Sequence, residues 1–359
     1  MGARTRGLAN NVLTGGKIDA TDGVSGVIDE ANIANASLSS ATTFGSVTGG
    51  ISQVASDPPS PTLSDAWYNT TTGKLKFRAD VAAWSSGGNM NQARRFLAGD
   101  GTQTAAFAFG GYAQSPSGNK ANAETYNGSS WTEVGDLNQS KEGLYGFGTT
   151  SAAVSAGGKA PSVTANVEEW DGSSWTEVNN IPTANAGGAG SGTLTAGLVF
   201  GQATPGRSGN TFEYDGTNWT AGGTMSTARG YLTGFGTQTA SAALAGLDAS
   251  PANTGKQEQY NGSSWTEVGD MNTVRRSLAG SGTQTSGMGF GGYTSTAVAN
   301  TELFDGTSFN ENADMGTARY RVAGGSASPT SASIVFGGGP GSYSATEEWN
   351  VAEANTEIG

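Results

Sequence analysis

Short apolar segments alternate with polar, glycine-containing turns at a regular interval over most of this chain. The clearest line of the pattern is Glu-x-aromatic-(Asn/Asp)-Gly-(Ser/Thr)-x-Trp, first seen from Glu124 to Trp131. It returns, in whole or in part, at 168–175, 214–219, 258–265 and 302–309. A repeat of about 45 residues with strand-like content is typical of a β-propeller, so the pattern predicts an all-β fold built from equivalent blades.

Each repeat divides into four short predicted strands. The first follows a Met/Leu/Ile-x-x-x-Arg motif and includes Phe96–Gly99, and the second is small and apolar, as in Ala105–Gly111. The third is the Glu-x-aromatic segment, and the fourth begins at the tryptophan. The Asn-Gly or Asp-Gly between them predicts a tight hairpin turn in which both turn positions take a positive φ.

The number of blades follows from the number of motifs. The opening motif occurs six times, beginning at Met90, Leu137, Ile181, Met225, Met271 and Met315. The third-strand motif also occurs six times, but no tryptophan follows its last copy at 347–350. We therefore expect a six-bladed ring over residues 84–359, with the strand around Trp84 completing the last blade. In the alternative, Thr356–Gly359 supplies that strand itself and leaves a partial seventh blade.

The repeat resembles that of the kelch propellers over about residues 84–350. The shared features are a Gly-Gly pair after the second strand, the aromatic residue, the tryptophan, and an arginine after Met-x-x-x. The interval from Tyr126 to Trp131 is shorter than in most kelch repeats. The phrases Gly-Thr-Gln-Thr-Ala and Tyr-Asn-Gly-Ser-Ser-Trp-Thr-Glu resemble a group of kelch-like propellers encoded by tailed phages of marine bacteria, which implies a virion protein of fibre or decoration type.

Residues 1–57 lie outside the repeat. Their isolated, regularly placed Ile and Leu residues fit neither a helix nor a strand and resemble the shaft and anchor segments of phage fibres. We expect an extended N-terminal assembly arm, and a disordered arm of low complexity is the alternative. A Pro-rich break at 57–61 leads into a small β-hairpin at 65–77, and the two make up a module at 58–83. The hairpin segment 65–77 resembles one that is common in phage fibre and structural proteins.

Charge and composition narrow the function. With 18 basic and 30 acidic residues, the net charge is −12, which disfavours nucleic acid or an anionic membrane as a partner. The chain has neither Cys nor His, so thiol chemistry and the commonest metal ligand are excluded. No catalytic constellation stands out, and we expect no enzymatic activity, metal or cofactor. The N-terminus lacks the apolar stretch of a signal peptide, and we find no transmembrane run. A virion protein, as the resemblance implies, would leave the cell by lysis.

The repeated aromatic and charged residues are interpreted as structural. One aromatic residue per repeat starts the fourth strand and is expected to fill the gap between blades: Trp84, Trp131, Trp175, Trp219, Trp265 and Phe309. One basic and one acidic residue per repeat are expected to form Arg–Glu pairs that fix the register. These charges are Arg94, Arg229, Arg275, Arg319, Glu124, Glu168, Glu258, Glu302 and Glu347, with Lys141, Asn185 and Phe212 at exceptional positions. A sugar-stacking series and an anion-binding ring are the alternatives.

Recognition is expected in the loops between second and third strands, which are the least repetitive part of the chain. The predicted loops are 112–123, 159–167, 202–212, 247–257, 293–301 and 340–346. Their candidate contact residues are Tyr112, Lys120, Lys159, Arg207, Lys256, Tyr293 and Tyr343. Grouped on one face, such cations and tyrosines would bind a surface glycan. In the alternative, the loops vary because nothing constrains them.

These patterns together predict a non-enzymatic virion structural protein, present in many copies or as a homo-oligomer. Residues 1–57 would bind other virion proteins of the capsid or tail. The propeller would be displayed for attachment to a host-surface glycan or protein, or would only decorate the particle. The alternatives are a carbohydrate-active propeller enzyme and an intracellular kelch-type interaction adaptor.

Overall fold

The computed structural model describes residues 52–60 and 65–358. The regular secondary structure of these residues consists of β-strands. The predicted all-β class is therefore confirmed. Of the predicted arm, residues 1–51 lie outside the described residues. The chain divides into two compact units. One holds the described residues up to Val81 together with those from Ala352 on, and the other runs from Ala82 to Val351.

The strands are short, and polar turns rich in glycine separate them. In chain order they are β1 (Ser52–Val54), β2 (Ala66–Asn69), β3 (Lys74–Ser86), β4 (Ala98–Thr102), β5 (Ala105–Phe109), β6 (Tyr112–Gln114), β7 (Ser117–Asn119), β8 (Ala123–Tyr126), β9 (Trp131–Val134), β10 (Tyr145–Gly148), β11 (Ala153–Ala156), β12 (Lys159–Ala160), β13 (Ser162–Val163), β14 (Val167–Trp170), β15 (Trp175–Val178), β16 (Ala189–Thr193), β17 (Ala196–Gln202), β18 (Ser208–Tyr214), β19 (Trp219–Ala221), β20 (Arg229–Gly230), β21 (Thr233–Thr237), β22 (Ala240–Asp248), β23 (Asn253–Tyr260), β24 (Trp265–Glu267), β25 (Ala279–Gly282), β26 (Gly287–Phe290), β27 (Thr301–Phe304), β28 (Phe309–Asn312), β29 (Ala323–Gly324), β30 (Ala332–Phe336) and β31 (Thr346–Ile358).

The first unit is built on a small hairpin. β2 and β3 pair in antiparallel fashion, and β1 pairs in parallel with β2. Asp57 accepts hydrogen bonds from Nδ2 of Asn69 at 2.8 Å, Nζ of Lys76 at 3.0 Å and Nε1 of Trp67 at 3.1 Å. These three donors hold the pKa of the Asp57 carboxyl at about 2. Residues 52–57 are therefore packed on the hairpin.

The second unit contains six sheets with a common strand order. Five are antiparallel: β4-β5-β8-β9, β10-β11-β14-β15, β16-β17-β18-β19, β21-β22-β23-β24 and β25-β26-β27-β28, and β20 also pairs with β22. In the sixth, the order within this unit is β29-β30-β31-β3. Its fourth strand therefore comes from the part of the chain that precedes the repeats. The short hairpins β6-β7 and β12-β13 form after the second strands of the first two sheets.

The turn between the third and fourth strands differs from the expected one. Tyr126 pairs with Trp131, which leaves the four residues 127–130 in the loop, and of these only Gly128 has a positive φ, of 89°. Oδ1 of Asn127 instead accepts hydrogen bonds from the backbone N–H groups two and three residues further on, both at 2.9 Å. The expectation of two positive φ values is therefore wrong. The Asn or Asp is needed as the side-chain acceptor of an Asx turn.

The repeated aromatic residues pack between neighbouring sheets. Trp131 of the first sheet contacts Phe336 of the sixth, with 4.8 Å between ring centroids. Trp175 of the second sheet contacts Phe109 of the first at 5.0 Å. The core of the second unit therefore consists of apolar clusters that each join two adjacent sheets.

Trp84 takes the same position in the sixth sheet. Its ring lies 5.0 Å from that of Phe290 in the fifth sheet. Its Nε1 donates to Oγ1 of Thr301 at 2.9 Å, and Nε1 of Trp131 donates to Oγ1 of Thr346 at the same distance. The same packing and the same indole hydrogen bond thus recur at both ends of the repeated region.

Six backbone hydrogen bonds join the sheets of the second unit into a cycle. Each sheet has one residue, just before its first strand, whose N–H donates to the carbonyl of its equivalent in the preceding sheet, at 2.7–3.0 Å. All six residues have φ between 54° and 75°. The first strands contact one another in the same cyclic order. We term these residues the central ring: Phe96, Gly143, Gly187, Tyr231, Ser277 and Arg321.

Candidate ligand-binding face

The repeated ion pairs are buried inside the sheets. In the first sheet, the guanidinium of Arg94 donates to Glu124 at 2.7 Å and to the carbonyls of Gly110 at 2.9 Å and Asn122 at 2.6 Å. Both side chains of the pair are fully buried. Burial lowers the pKa of Arg94, and Glu124 opposes that shift. Because a ligand cannot reach these groups, they hold strands together and do not form an anion-binding ring.

Four other sheets repeat the arrangement. The N···O distances in these pairs lie between 2.5 and 3.3 Å. They are Lys141–Glu168, Arg229–Glu258, Arg275–Glu302 and Arg319–Glu347. The third sheet replaces both members together, with Asn185 and Phe212. This joint replacement fits the strong destabilisation that a single unpaired buried charge would cause.

The three tyrosines proposed for recognition lie in different settings. Tyr112 lies under Arg95, whose guanidinium carbon is 5.2 Å from the ring centroid. Tyr293 lies under Arg276 in the same way, at 4.7 Å. The backbone of Tyr343 instead bridges to the segment just before the central ring. Two of the three tyrosines are thus stacked on arginines that the loop prediction did not include.

Lys256 lies on a strand and not, as predicted, in a loop. β22 and β23 extend into the predicted loop 247–257 and leave only 249–252 between them, because their pairing continues beyond a bulge. Nζ of Lys256 binds Glu267 of β24 at 2.6 Å. This cation therefore pairs with the fourth strand of its own sheet, and it is removed from the candidate recognition residues.

The other three predicted cations occupy the ends of short strands. Arg207 immediately precedes β18, and Lys120 lies between β7 and β8. Lys159 is exposed at the start of β12, and its backbone bridges to Glu142. No contact joins these three cations to one another or to the predicted tyrosines in the described part of the chain.

An arginine–aromatic cluster includes three residues of the central ring, Phe96, Tyr231 and Arg321. The guanidinium carbon of Arg321 is 4.2 Å from the ring centroid of Phe96 and 4.8 Å from that of Tyr320. The ring of Tyr320 also contacts that of Tyr293, with 5.0 Å between their centroids, and the ring of Phe96 lies 6.2 Å from that of Tyr231. With the stacked pairs described above, the cluster forms what we term the arginine–aromatic face. Its partly buried members are Arg95, Phe96, Tyr112, Tyr231, Arg276, Tyr293, Tyr320 and Arg321.

Three members of this face border a cavity at the central ring. Phe96, Tyr231 and Arg321 line a space of about 80 Å³, and the apolar side chains of Leu97 and Leu232 also border it. The remaining lining comes from equivalent positions of the other sheets. A ligand at this mouth would therefore meet two aromatic rings and one guanidinium.

The arginines of this face lack the carboxylate partners that the buried arginines have. Arg95 donates to the backbone carbonyl of Pro340 at 2.8 Å, and Arg276 donates to Oδ1 of Asn253 at 2.8 Å. The guanidinium of Arg321 makes stacking contacts but donates no hydrogen bond within residues 52–60 and 65–358. Its N–H groups are free to bind an anion.

The electrostatic surroundings of Arg321 are mixed. Burial lowers the pKa of its guanidinium, and the nearby charge of Arg95 lowers it further. Tyr320, Tyr231 and Glu142 act in the opposite direction. An arginine is effectively always protonated in proteins, so Arg321 carries a positive charge at neutral pH.

A sequence signal for this face is present in the two positions that follow each repeated basic residue. There the repeat reads Arg-Phe, Glu-Gly, Ala-Gly, Gly-Tyr, Arg-Ser and Tyr-Arg, starting at 95, 142, 186, 230, 276 and 320. These are the least uniform positions in an otherwise regular motif. This variability marks the positions as unusual in the repeat, although it does not show which of their side chains meet.

No protein-family model and no curated protein matches this chain. Within residues 52–60 and 65–358, no three acidic side chains are grouped so as to hold a metal ion. No helix in the same residues is long and apolar enough to cross a membrane. The described arrangement offers cationic and aromatic groups, which suit binding of an anion or of a flat apolar surface.

Proposed function

We propose that the second unit is a closed six-bladed β-propeller of the kelch-like type. The cycle of six backbone hydrogen bonds supports this reading, as does the common strand order of the six sheets. Six blades are favoured over seven because Trp84 packs as a fourth-strand aromatic residue. They are also favoured because β31 continues to Ile358 as one strand, so the tail does not supply a separate one.

We infer that this propeller is a binding scaffold and not an enzyme. The observation that carries this inference is the arginine–aromatic face, which presents cations and rings while the ion pairs of the repeat stay buried. A carbohydrate-active enzyme usually works with a pair of carboxylates, whereas the six variable pairs at this face hold one acidic residue, Glu142. The buried carboxylate of Asp100 accepts four hydrogen bonds, from Gly101, Gly148, Ser326 and Ala327, at 2.6–3.0 Å. Such a group holds neighbouring sheets together.

We further propose that the protein belongs to the virion of a tailed phage, on the capsid or tail. The support is the resemblance of the repeat and of the module at 58–83 to phage structural proteins. Residues 1–57 would bind other virion proteins, and the propeller would be displayed in many copies for attachment to the host surface. Multiple copies make weak individual contacts useful, since linked sites bind with greater avidity than single ones.

Incorporation into particles tests the anchor. Deletion of residues 2–51 retains β1 and Asp57, whereas deletion of residues 2–57 also removes the carboxylate that binds the hairpin. We therefore expect the shorter deletion to give a folded protein that no longer enters particles. Occupancy would be measured by quantitative immunoblotting of purified particles produced with each variant. Normal occupancy of the shorter deletion would contradict an anchoring role for this segment.

Adsorption of particles to host cells tests display. Particles that carry Arg321→Gln should assemble normally and adsorb more slowly, because the substitution leaves the buried ion pairs intact and removes the free cation. Lys256→Gln is the matched control, since it removes one positive charge from the fourth-strand pair. Equal adsorption of both variants and of the wild type would leave decoration of the particle as the function.

A further inference from the structure

We propose that Arg321, Phe96 and Tyr231 form a binding site for an acidic sugar, that is, a pyranose ring carrying a carboxylate or a sulfate ester. The display of this site on a particle rests on the proposed function. The binding chemistry itself belongs to the isolated protein and can be tested without a particle.

The charge of the site favours an anion. The chain has a net charge of −12, and its four buried repeat arginines are all paired with glutamate. Arg321 has no such partner and lies between two aromatic rings. Stacking occupies the flat faces of a guanidinium, whereas its N–H donors point outward in its plane. That geometry leaves the edge of Arg321 available for two parallel hydrogen bonds to one carboxylate or sulfate.

The rings beside Arg321 favour a sugar over a bare anion. Phe96 and Tyr231 are partly exposed, lie 6.2 Å apart and border the same cavity as the guanidinium. A pyranose ring has an apolar C–H face and a polar edge. The parts of the two rings that Arg321 leaves exposed can pack against the first, and the guanidinium and the tyrosine hydroxyl can bind the second.

The backbone at the site is held in a fixed conformation. Phe96, Tyr231 and Arg321 have φ values of 54°, 54° and 58°, and each belongs to the hydrogen-bonded central ring. Bulky residues seldom adopt this conformation, and glycine fills the same position in two other sheets, at 143 and 187. Retaining large side chains where glycine fits without strain indicates that the side chains themselves are used.

The same ring argues against an acidic peptide as the ligand. Peptides are commonly recognised as an added strand, which requires free backbone N–H and carbonyl groups. At this mouth, the N–H groups and carbonyls of the six ring residues are already bonded to one another. Recognition must therefore proceed through side chains, and a flat ring with an attached oxyanion matches the side chains present.

Binding to defined probes tests the proposal. Isothermal titration of the full-length protein with oligogalacturonate, which carries carboxylates, and with dextran sulfate would identify the acidic group. Unsulfated dextran and poly-L-glutamate are the comparison probes. We expect one acidic saccharide to bind, dextran not to bind, and poly-L-glutamate to bind at least about tenfold more weakly, which corresponds to about 1.4 kcal/mol.

Variants then assign the binding to the site. Arg321→Gln and Phe96→Ala should each weaken binding of the acidic saccharide by about tenfold or more, whereas Lys256→Gln should leave it unchanged. Unchanged melting temperatures would show that both variants fold. Equal binding of poly-L-glutamate, or binding that Phe96→Ala does not alter, would overturn the proposal in favour of unspecific charge attraction. Lack of binding to either acidic saccharide would also overturn it, while the particle assays would still test attachment.

Discussion

Lys141 occupies a site that four other sheets fill with arginine, and it leaves more of the buried acceptors around it without a hydrogen bond. Its Nζ lies 3.3 Å from Oε1 of Glu168 and donates to the side chain of Asn166 at 3.0 Å. Oε1 of Glu168 and Oγ of Ser155 are buried without a hydrogen-bond partner. At the equivalent place, Arg94 makes three hydrogen bonds of 2.6–2.9 Å, although its Nε is buried without a partner. Replacement of Lys141 with arginine should therefore stabilise the protein.

The magnitude follows from the hydrogen bonds gained. A hydrogen bond to a charged group contributes about 1.5–3 kcal/mol, and ordering a longer side chain offsets part of this gain. We expect Lys141→Arg to raise the free energy of unfolding by about 1–3 kcal/mol. Lys141→Met is the opposite control. It leaves Glu168 buried without a cation and should lower the free energy of unfolding by about 3–5 kcal/mol.

The pH dependence gives a second, independent test of the same site. Burial lowers the pKa of Lys141 from 10.5 to about 8. The unfolded chain therefore binds this proton more tightly than the folded chain does. The stability of the wild type gains from this group as pH rises from about 8 to 10.5, by about 3 kcal/mol in all. Arginine does not titrate in this range, so the advantage of Lys141→Arg should shrink at high pH.

Urea unfolding followed by tryptophan fluorescence, at pH 7 and at intervals up to pH 10, measures both effects. The reasoning predicts that Lys141→Arg is more stable than the wild type at pH 7 and that this advantage is lost or reversed by pH 10. A neutral or destabilising Lys141→Arg at pH 7 would refute it, because the pocket would then be shaped for lysine. A gain that stays constant with pH would refute the shifted pKa and leave the hydrogen-bond argument intact.

Three further predictions concern other parts of the second unit. Trp84→Ala should lower the free energy of unfolding by about 2–4 kcal/mol and speed amide exchange in the neighbouring part of β31. Trp219→Ala should also lower the free energy of unfolding, but without faster exchange in β31. Mass spectrometry of exchanged peptides distinguishes the two variants. Burial raises the pKa of Asp100 from 3.8 to about 6, so the wild type should lose about 2 kcal/mol relative to Asp100→Asn as pH rises from 4 to 6. A constant difference in urea unfolding would contradict this. Tyr231→Gly should change stability by less than about 1 kcal/mol and still weaken binding of the acidic saccharide, and an unfolded variant would show instead that the ring needs this side chain.

The sequence repeat was sufficient to predict a four-stranded sheet for each repeat and the packing and ion pairing of the repeated side chains, but not the full extent of every strand. A residue that recurs once per repeat must meet the same surroundings in every sheet, so its role follows from periodicity alone. Trp131 between two sheets and Arg94 beside Glu124 are examples. The same logic explains why the third sheet can carry Asn185 and Phe212 only as a pair.

Periodicity could not predict the arginine–aromatic face. Its contacts join residues from different repeats, such as Arg321 and Phe96, which come together only when the sheets are arranged around the central ring. The loop prediction was wrong for Lys256 for a related reason. Strand pairing continued further than the repeat implied, so that Lys256 lies on β23 and binds Glu267.

The central ring combines a uniform backbone conformation with side chains that differ from sheet to sheet. Its backbone conformation is the same in all six sheets, so the fold places no demand on side-chain identity there beyond tolerance of a positive φ. Glycine meets that demand with least strain, and two sheets use it, at 143 and 187. Where Phe96, Tyr231 and Arg321 are found instead, the fold gains nothing from their backbone conformation. Under the binding role proposed above, these positions could change ligand specificity while the buried pairs and the aromatic residues between sheets keep the scaffold unchanged.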